Sequence, residues 1–453
     1  VTVPSSTPAT IEEATRPKLL ADVSFWGIAV TQFLGAFNDN LYKQMVLLMS
    51  ITTVAGQVSE DTQGYATALF SLPFVLLSGF AGYLSDRWSK SKIIVLCKLA
   101  EIAIMLLAMF AFLQYARVGA FGTWTVLFLM GTQSAFFGPG KYGVLPELFR
   151  KEDLPRANGL ILMSTFLAII LGVVFAGTVK DLLTTRDEAG KEDFSNLWIG
   201  SLVCIGIASA GTITALLIRY TKPAQPEAKV SWEDIGVSPS IRALLWRDRP
   251  LLAALIVSSA FWLVSGVVMP TVNALGKAQL QLNSDTKTSI LTGALAIGII
   301  IGSVLANIVF KRKSATFQVL SGTIGMILSL AVTGLWKQGG EHLLGYWGAL
   351  LGLISCGMFA AIFILPIQVF MQSRPPAEAK GRMIGTMNLV NFIGLLLAGP
   401  LYQIFLKITQ ILGWPVSAVF IMLTVLLIPI AIRFRMPSNS TVSTVLPQQS
   451  TPD

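Results

Sequence analysis

Residues 64–113 read GYATALFSLPFVLLSGFAGYLSDRWSKSKIIVLCKLAEIAIMLLAMFAFL. Two apolar runs, 64–84 and 93–113, flank a short polar connection carrying Asp86, Arg87, Lys90 and Lys92. Each run has about the 20 residues an α-helix needs to cross the hydrocarbon core of a bilayer. Lipid offers no partner to an unpaired amide, so such runs must be helical. Outward from this pair the same plan repeats. One run precedes it, near 24–50; nine follow, near 121–145, 157–179, 197–218, 250–275, 288–310, 315–336, 343–371, 382–406 and 412–432. The pattern predicts an all-α integral membrane fold with 12 transmembrane helices.

Composition agrees. Of 453 residues, 53% are hydrophobic and only 13% charged, about half the charged share of an ordinary soluble domain. A soluble enzyme with one packed core, a secreted disulfide scaffold and a disordered regulator are excluded. The net charge of +9 does not point to nucleic acid, because the basic residues lie in short loops rather than one patch. Cys97, Cys204 and Cys356 fall inside apolar runs with no CxxC pair and read as small buried hydrophobes. His342 is the sole histidine and falls in a short predicted loop, which argues against zinc sites built on several histidines and most histidine-based acid–base chemistry. No metal and no cofactor are expected.

Orientation follows from lysine and arginine. With the N-terminus inside, 22 of the 33 lie on the cytoplasmic side and eight outside, while Lys43, Lys98 and Lys141 lie within spans. The positive-inside rule then puts both termini in the cytoplasm. The longest inner connection, 221–249, contains Pro223, Pro226 and Pro239. It divides the chain into six-span halves, 24–220 and 250–435, between polar tails 1–23 and 436–453 expected to be disordered.

Ionisable groups inside a bilayer are costly, so each marks a candidate site. The first span contains Asn38-Asp39-Asn40. Consecutive side chains on a helix point about 100° apart, so the three cannot all face lipid. Asp39 reads as a cation- or proton-responsive carboxylate or an ammonium contact; the alternative is a polar turn bonding neighbouring helices. The fourth span ends in Gly138-Pro139-Gly140-Lys141-Tyr142, where proline is expected to interrupt the helix. Lys141 then either attracts a phosphate or snorkels to the inner surface. By residue count Asp39 lies outward and Lys141 inward, arguing against a direct ion pair. Lys98 and Glu101, three apart, are expected to pair along one helix face. Pro366 predicts a second bend, beside Gln368; Asn388 and Asn391 are further candidate cavity-lining residues.

Six spans, a long cytoplasmic loop and six more is the layout of the major facilitator superfamily, and the residues carry the resemblance further. Gly82-Tyr83-Leu84-Ser85-Asp86-Arg87-Trp88-Ser89-Lys90 resembles that superfamily's signature G-x-L-[AGS]-D-[RK]-x-x-[RK]. Ser303-Val304-Leu305-Ala306-Asn307 followed by Lys311-Arg312-Lys313 is a faded copy. The resemblance implies two pseudo-symmetric six-helix bundles around a midplane site and alternating access by rocking. It also implies conformational roles for Gly82, Asp86, Arg87 and Lys90, beside those that the proline positions suggest for Gly138, Pro139, Gly140 and Pro366.

Three further stretches are more specific: Ala36-Phe37-Asn38-Asp39-Asn40, Gly138-Pro139-Gly140-Lys141-Tyr142-Gly143 with Pro146-Glu147-Leu148, and Ala157-Asn158-Gly159-Leu160. Together they resemble the bacterial lysophospholipid transporter family and the transporter module fused to acyltransferase and acyl-carrier-protein synthetase domains. That likeness implies flipping of lysophospholipids, chiefly lysophosphatidylethanolamine, from the outer to the inner leaflet of the bacterial cytoplasmic membrane. It assigns Asp39 and Lys141 as head-group or gating residues; the polar groups themselves make Asn38, Asn40 and Glu101 further binding or coupling candidates, and Tyr142 a candidate cavity-lining residue. A basic residue expected in the seventh span is missing: Leu251–Gly276 contains no lysine or arginine. Expected partners are the lipid substrate, the bilayer and a separately encoded cytoplasmic acyltransferase, with no nucleic acid and a monomeric state. Rival readings are a cation-coupled exporter of hydrophobic molecules and a membrane-bound acyltransferase. An H-x-x-x-x-D acyltransferase motif fails at His342, which has Trp347 five residues on.

Overall fold

The computed structural model describes residues 16–54, 57–186, 192–224, 226–227, 236–309, 313–376 and 379–436. Most of both expected tails and part of the central linker lie outside these residues. The helices are α1 (Val23–Met49), α2 (Gln63–Arg87), α3 (Lys90–Leu113), α4 (Tyr115–Gly143), α5 (Leu154–Leu183) and α6 (Trp198–Ala215). After the linker come α7 (Arg249–Ala274), α8 (Asp285–Ile308), α9 (Ala315–Thr333), α10 (Gly345–Ser373), α11 (Lys380–Leu412) and α12 (Ala418–Arg433). Polar residues set their starts. The side chains of Asp22, Ser89, Asp248, Ser284 and Ser314 accept backbone amides at the openings of α1, α3, α7, α8 and α9, satisfying donors the first turn leaves free. Gly413, at φ +65°, stops α11, a conformation costly for residues bearing a Cβ.

Among the described residues, nine helices are long and apolar enough to cross a membrane. Of the 12 expected spans, α1, α4 and α12 fall outside that set. The first two carry the polar turns noted above, and α12 has only 16 residues.

Packing repeats between the halves. α1 packs on α5, as α7 does on α11; α2 on α4, as α8 on α10; α3 on α6, as α9 on α12. The halves meet chiefly through two pairs, α2 with α11 and α5 with α8. Two small antiparallel ribbons, absent from the all-helical expectation, mark one end of the molecule. These are β1 (Ile51–Val54) with β2 (Gln57–Asp61), and β3 (Thr185–Arg186) with β4 (Glu192–Asp193). We call this the hairpin side and the opposite end, which carries the 221–249 connection, the linker side.

On the linker side, residues assigned to the N-terminal tail are tied down. Leu19 is buried, Arg16 donates to the Phe149 carbonyl, and Asp22 pairs with Arg219 at 2.6 Å. The linker contains a short helix, Pro239–Arg247. One correction concerns α4: it runs with helical dihedrals through Gly138-Pro139-Gly140 to Gly143, and its only non-helical residue is Gly119. Pro73 in α2 and Pro366 in α10 likewise lie inside their helices, with no glycine on either side.

Candidate functional site

The polar turn of α1 splits its contacts among neighbours. Asn38 donates to Glu101 Oε1 at 2.7 Å, and Lys98 Nζ lies 2.5 Å from the other carboxylate oxygen. All three are at most 1% exposed. The expected Lys98–Glu101 pair therefore forms, and Asn38 completes it; Glu101 is consumed by these partners within the core. Asp39 points elsewhere and accepts the Ser134 hydroxyl of α4 at 2.7 Å. Asn40 turns back to the Ala36 carbonyl at 2.8 Å. Three residues thus point three ways, as the helical repeat requires.

Asp39 is half-buried. Glu101, Lys98 and Lys141 are near enough to act on it electrostatically. Lys141, also half-buried, has no carboxylate within ion-pairing distance among the described residues; its ammonium sits 4.8 Å from the Tyr142 ring centre and 5.8 Å from that of Phe137. Such cation–π contacts soften the loss of water without cancelling the charge. Tyr142 itself is 50% exposed. The arrangement offers one carboxylate, Asp39, and one ammonium, Lys141, within electrostatic reach of each other.

The signature loop lies on the linker side. Asp86 is exposed and makes no ion pair among the described residues, while Arg87 donates to the Tyr83 hydroxyl at 2.6 Å. Lys90 binds Glu147 at 2.5 Å, fastening the start of α3 to the turn after α4. Gly143 makes room for it, since a Cβ there would stand 2.8 Å from Lys90 Cε. A Cβ at Gly82, Gly138, Gly159, Gly381 or Gly385 would meet nothing within 4 Å. In the second half Pro366 lies inside α10. Gln368 is half-buried and Asn388 exposed, whereas Asn391 is buried and accepts Ser258 at 2.9 Å.

The bonds tying the halves together gather at the hairpin side, and sequence reasoning missed them. Lys180 of α5 reaches Asp285 of α8 and Glu192 of β4, each at 2.7 Å. Lys277, in the single π-turn that ends α7, joins the same two carboxylates at 3.3 and 3.6 Å. Asp181 accepts the first amides of α8, from Asp285 at 2.7 Å and Thr286 at 2.9 Å. Deeper in, Gln44 and Gln63 of the first half share Asn273 of α7 at 2.8 and 2.9 Å. Tyr402 of α11 donates to Asp61 at 2.6 Å, and Gln403 donates to the Asp61 carbonyl at 2.9 Å. Isolated amides in apolar runs (Gln44, Gln63, Asn273) were the available signal. Toward the linker side, contact along α2 and α11 reaches the Phe74–Phe392 stack, with ring centres 4.0 Å apart. The halves are clasped at one end.

The fold is all-helical apart from its two small ribbons, with several helices long enough to cross a membrane, and residues 26–399 match the Major Facilitator Superfamily. The chain belongs to that superfamily and is a multi-pass membrane transporter, not an enzyme. It is similar to the lysophospholipid transporter LplT of Photorhabdus laumondii, 28% identical over 390 residues that cover 84% of this chain and 88% of that one. Its likeness to LplT of Serratia proteamaculans is 25% over 395 residues, 85% and 89% of the two chains. Solved structures share the fold. A nucleoside transporter, NupG, superposes with a TM-score of 0.65 at 12% identity, covering 90% of this chain and 97% of that one. A POT family transporter bound to a thioalcohol-conjugated peptide gives 0.67 at 16%, covering 90% and 95%.

Proposed function

We propose that the protein moves lysophospholipids, of the lysophosphatidylethanolamine type, from the outer to the inner leaflet of a bacterial inner membrane. The observation that carries this reading is a half-buried carboxylate, Asp39, and a half-buried lysine, Lys141, that act on each other electrostatically with no ion pair between them among the described residues. A zwitterionic head group has a phosphate for the lysine and an ammonium for the aspartate, while its single acyl chain needs only apolar surface. The similarity to LplT supports the same class of cargo. In this reading α1, α4 and α12 also cross the bilayer, giving 12 spans in two bundles, 24–220 and 250–435, joined by 221–249. Both termini are cytoplasmic, the hairpin side faces outward, and the clasped hairpin side is the inward-open stage of alternating access. The transporter works as a monomer, and a separate cytoplasmic acyltransferase consumes the lipid it delivers.

The test is uptake of labelled lysophosphatidylethanolamine by spheroplasts lacking their own transporter. Wild type is compared with Asp39→Asn and Lys141→Gln at matched membrane levels. Uptake by wild type, with a loss of about tenfold or more in each variant, is expected for a lost charge-assisted contact. No uptake by well-expressed wild type overturns the lipid reading in favour of a small-molecule exporter.

A further inference from the structure

Among the lysines within the described helices, Lys98, Lys180 and Lys277 each have a carboxylate partner. Among the described residues, Lys43 of α1, like Lys141, has none within ion-pairing distance. It is half-buried, its ammonium 4.9 Å from the Phe70 ring centre on α2. An unpaired ammonium is costly at this depth, so a fold that retains one is organised for an anion from elsewhere. The other faces of α1 are spoken for. Asn38 and Gly35 lie against α3, Phe37 and Leu41 against Gly172 of α5, and Gln44 is bonded to α7 and α8. Lys43 shares the remaining face with Asp39, one turn away and within its electrostatic reach.

The three charges form a column. At 1.5 Å rise per residue, Lys43 lies about 6 Å from Asp39 toward the hairpin side. On α4, which runs the other way, Lys141 lies seven residues beyond the Ser134 that holds Asp39, about 10 Å toward the linker side. We propose that Lys43 is a second anion-binding residue of the site, and that a lysophospholipid phosphate passes from Lys43 to Lys141 while Asp39 holds the ammonium. This rests on the lysophospholipid reading above and gives it a path: the head group crosses the midplane in two steps along one half of the protein. In an ethanolamine head group the nitrogen lies two carbons from the phosphate ester oxygen. One aspartate can therefore keep the ammonium while the phosphate swings from one side of it to the other.

Two stations used in succession behave differently from two lysines gripping one phosphate. Delays in series add, whereas simultaneous contacts multiply when independent. The experiment measures initial uptake of labelled lysophosphatidylethanolamine in spheroplasts for wild type, Lys43→Gln, Lys141→Gln, the double variant and Lys43→Arg, at matched membrane levels. Each single glutamine variant is expected to lose about tenfold, the double about twentyfold, and Lys43→Arg to stay within about threefold of wild type. Lys43→Gln at the wild-type rate overturns the relay and leaves the lipid reading standing. So does a double variant slowed about a hundredfold, or an arginine variant as slow as glutamine. A wild type that moves no lysophospholipid overturns both.

Discussion

Replacing Asp61 with asparagine should remove a pH dependence from closure of the hairpin side. Asp61 lies in β2, outside the spans, and its carboxylate is held by Tyr402 of α11 and the Gln63 amide. Burial is the dominant influence and lifts its pKa from 3.8 to about 6, partly offset by those hydrogen bonds and by Lys277. When the hairpin side opens, Tyr402 withdraws with the second half and water reaches the carboxylate, returning it toward its ordinary value. The closed form therefore holds the proton more tightly. Stability from this source is fully present below pH 3.8 and is lost as pH rises through about 6. A gap of about two pKa units is worth about 3 kcal/mol over its full range. Between pH 5 and 7.5 the closed-to-open ratio should fall about tenfold. Spin labels at the exposed positions Ser59 and Ile411, on opposite halves, would report the two populations as two distance distributions. Asp61→Asn should flatten the dependence. Populations that ignore pH in the wild type, or a dependence that survives in Asp61→Asn, would refute the reasoning.

Two further outcomes follow from packing. Lys98→Met should leave Glu101 charged and unpaired in the core, a loss of about 3–5 kcal/mol visible as a lower thermal midpoint in detergent; adding Glu101→Gln should recover much of it. At Gly64, a Cβ would stand 2.5 Å from the Gly399 carbonyl oxygen. Gly64→Ala should therefore cost the clasped form about 1–3 kcal/mol, shifting the Ser59–Ile411 distances toward separation.

The sequence made the spans legible because membrane helices announce themselves locally, through about 20 apolar residues between polar ends. The divergence of Asn38, Asp39 and Asn40 was legible for the same kind of reason, as was the Lys98–Glu101 pair: both depend only on helical geometry. The clasp was not. Lys180, Asp285 and Lys277 stand at helix ends, where charged residues usually meet water, and the first two are 105 positions apart. Only the folded chain brings them together. The break expected at Pro139 does not form, and α2 and α10 likewise continue through Pro73 and Pro366. Asp61 carried no local signal either, since its partner on α11 lies 341 residues away.

The polar turn of α1 and the bare interior of the second half have a joint mechanical consequence. Asp39, Lys43, Lys98, Glu101 and Lys141 all belong to α1, α3 and α4, whereas residues 250–275, 288–309, 315–336 and 343–371 contain no charged side chain. The molecule resembles a vise with one toothed jaw and one smooth one. A charged cargo gripped by the toothed jaw need not release an ionic contact when the smooth jaw swings past it. In the proposed transport cycle, the clasp between the halves would then set the barrier to rocking, and cargo affinity could be tuned in one half without stiffening the motion of the other.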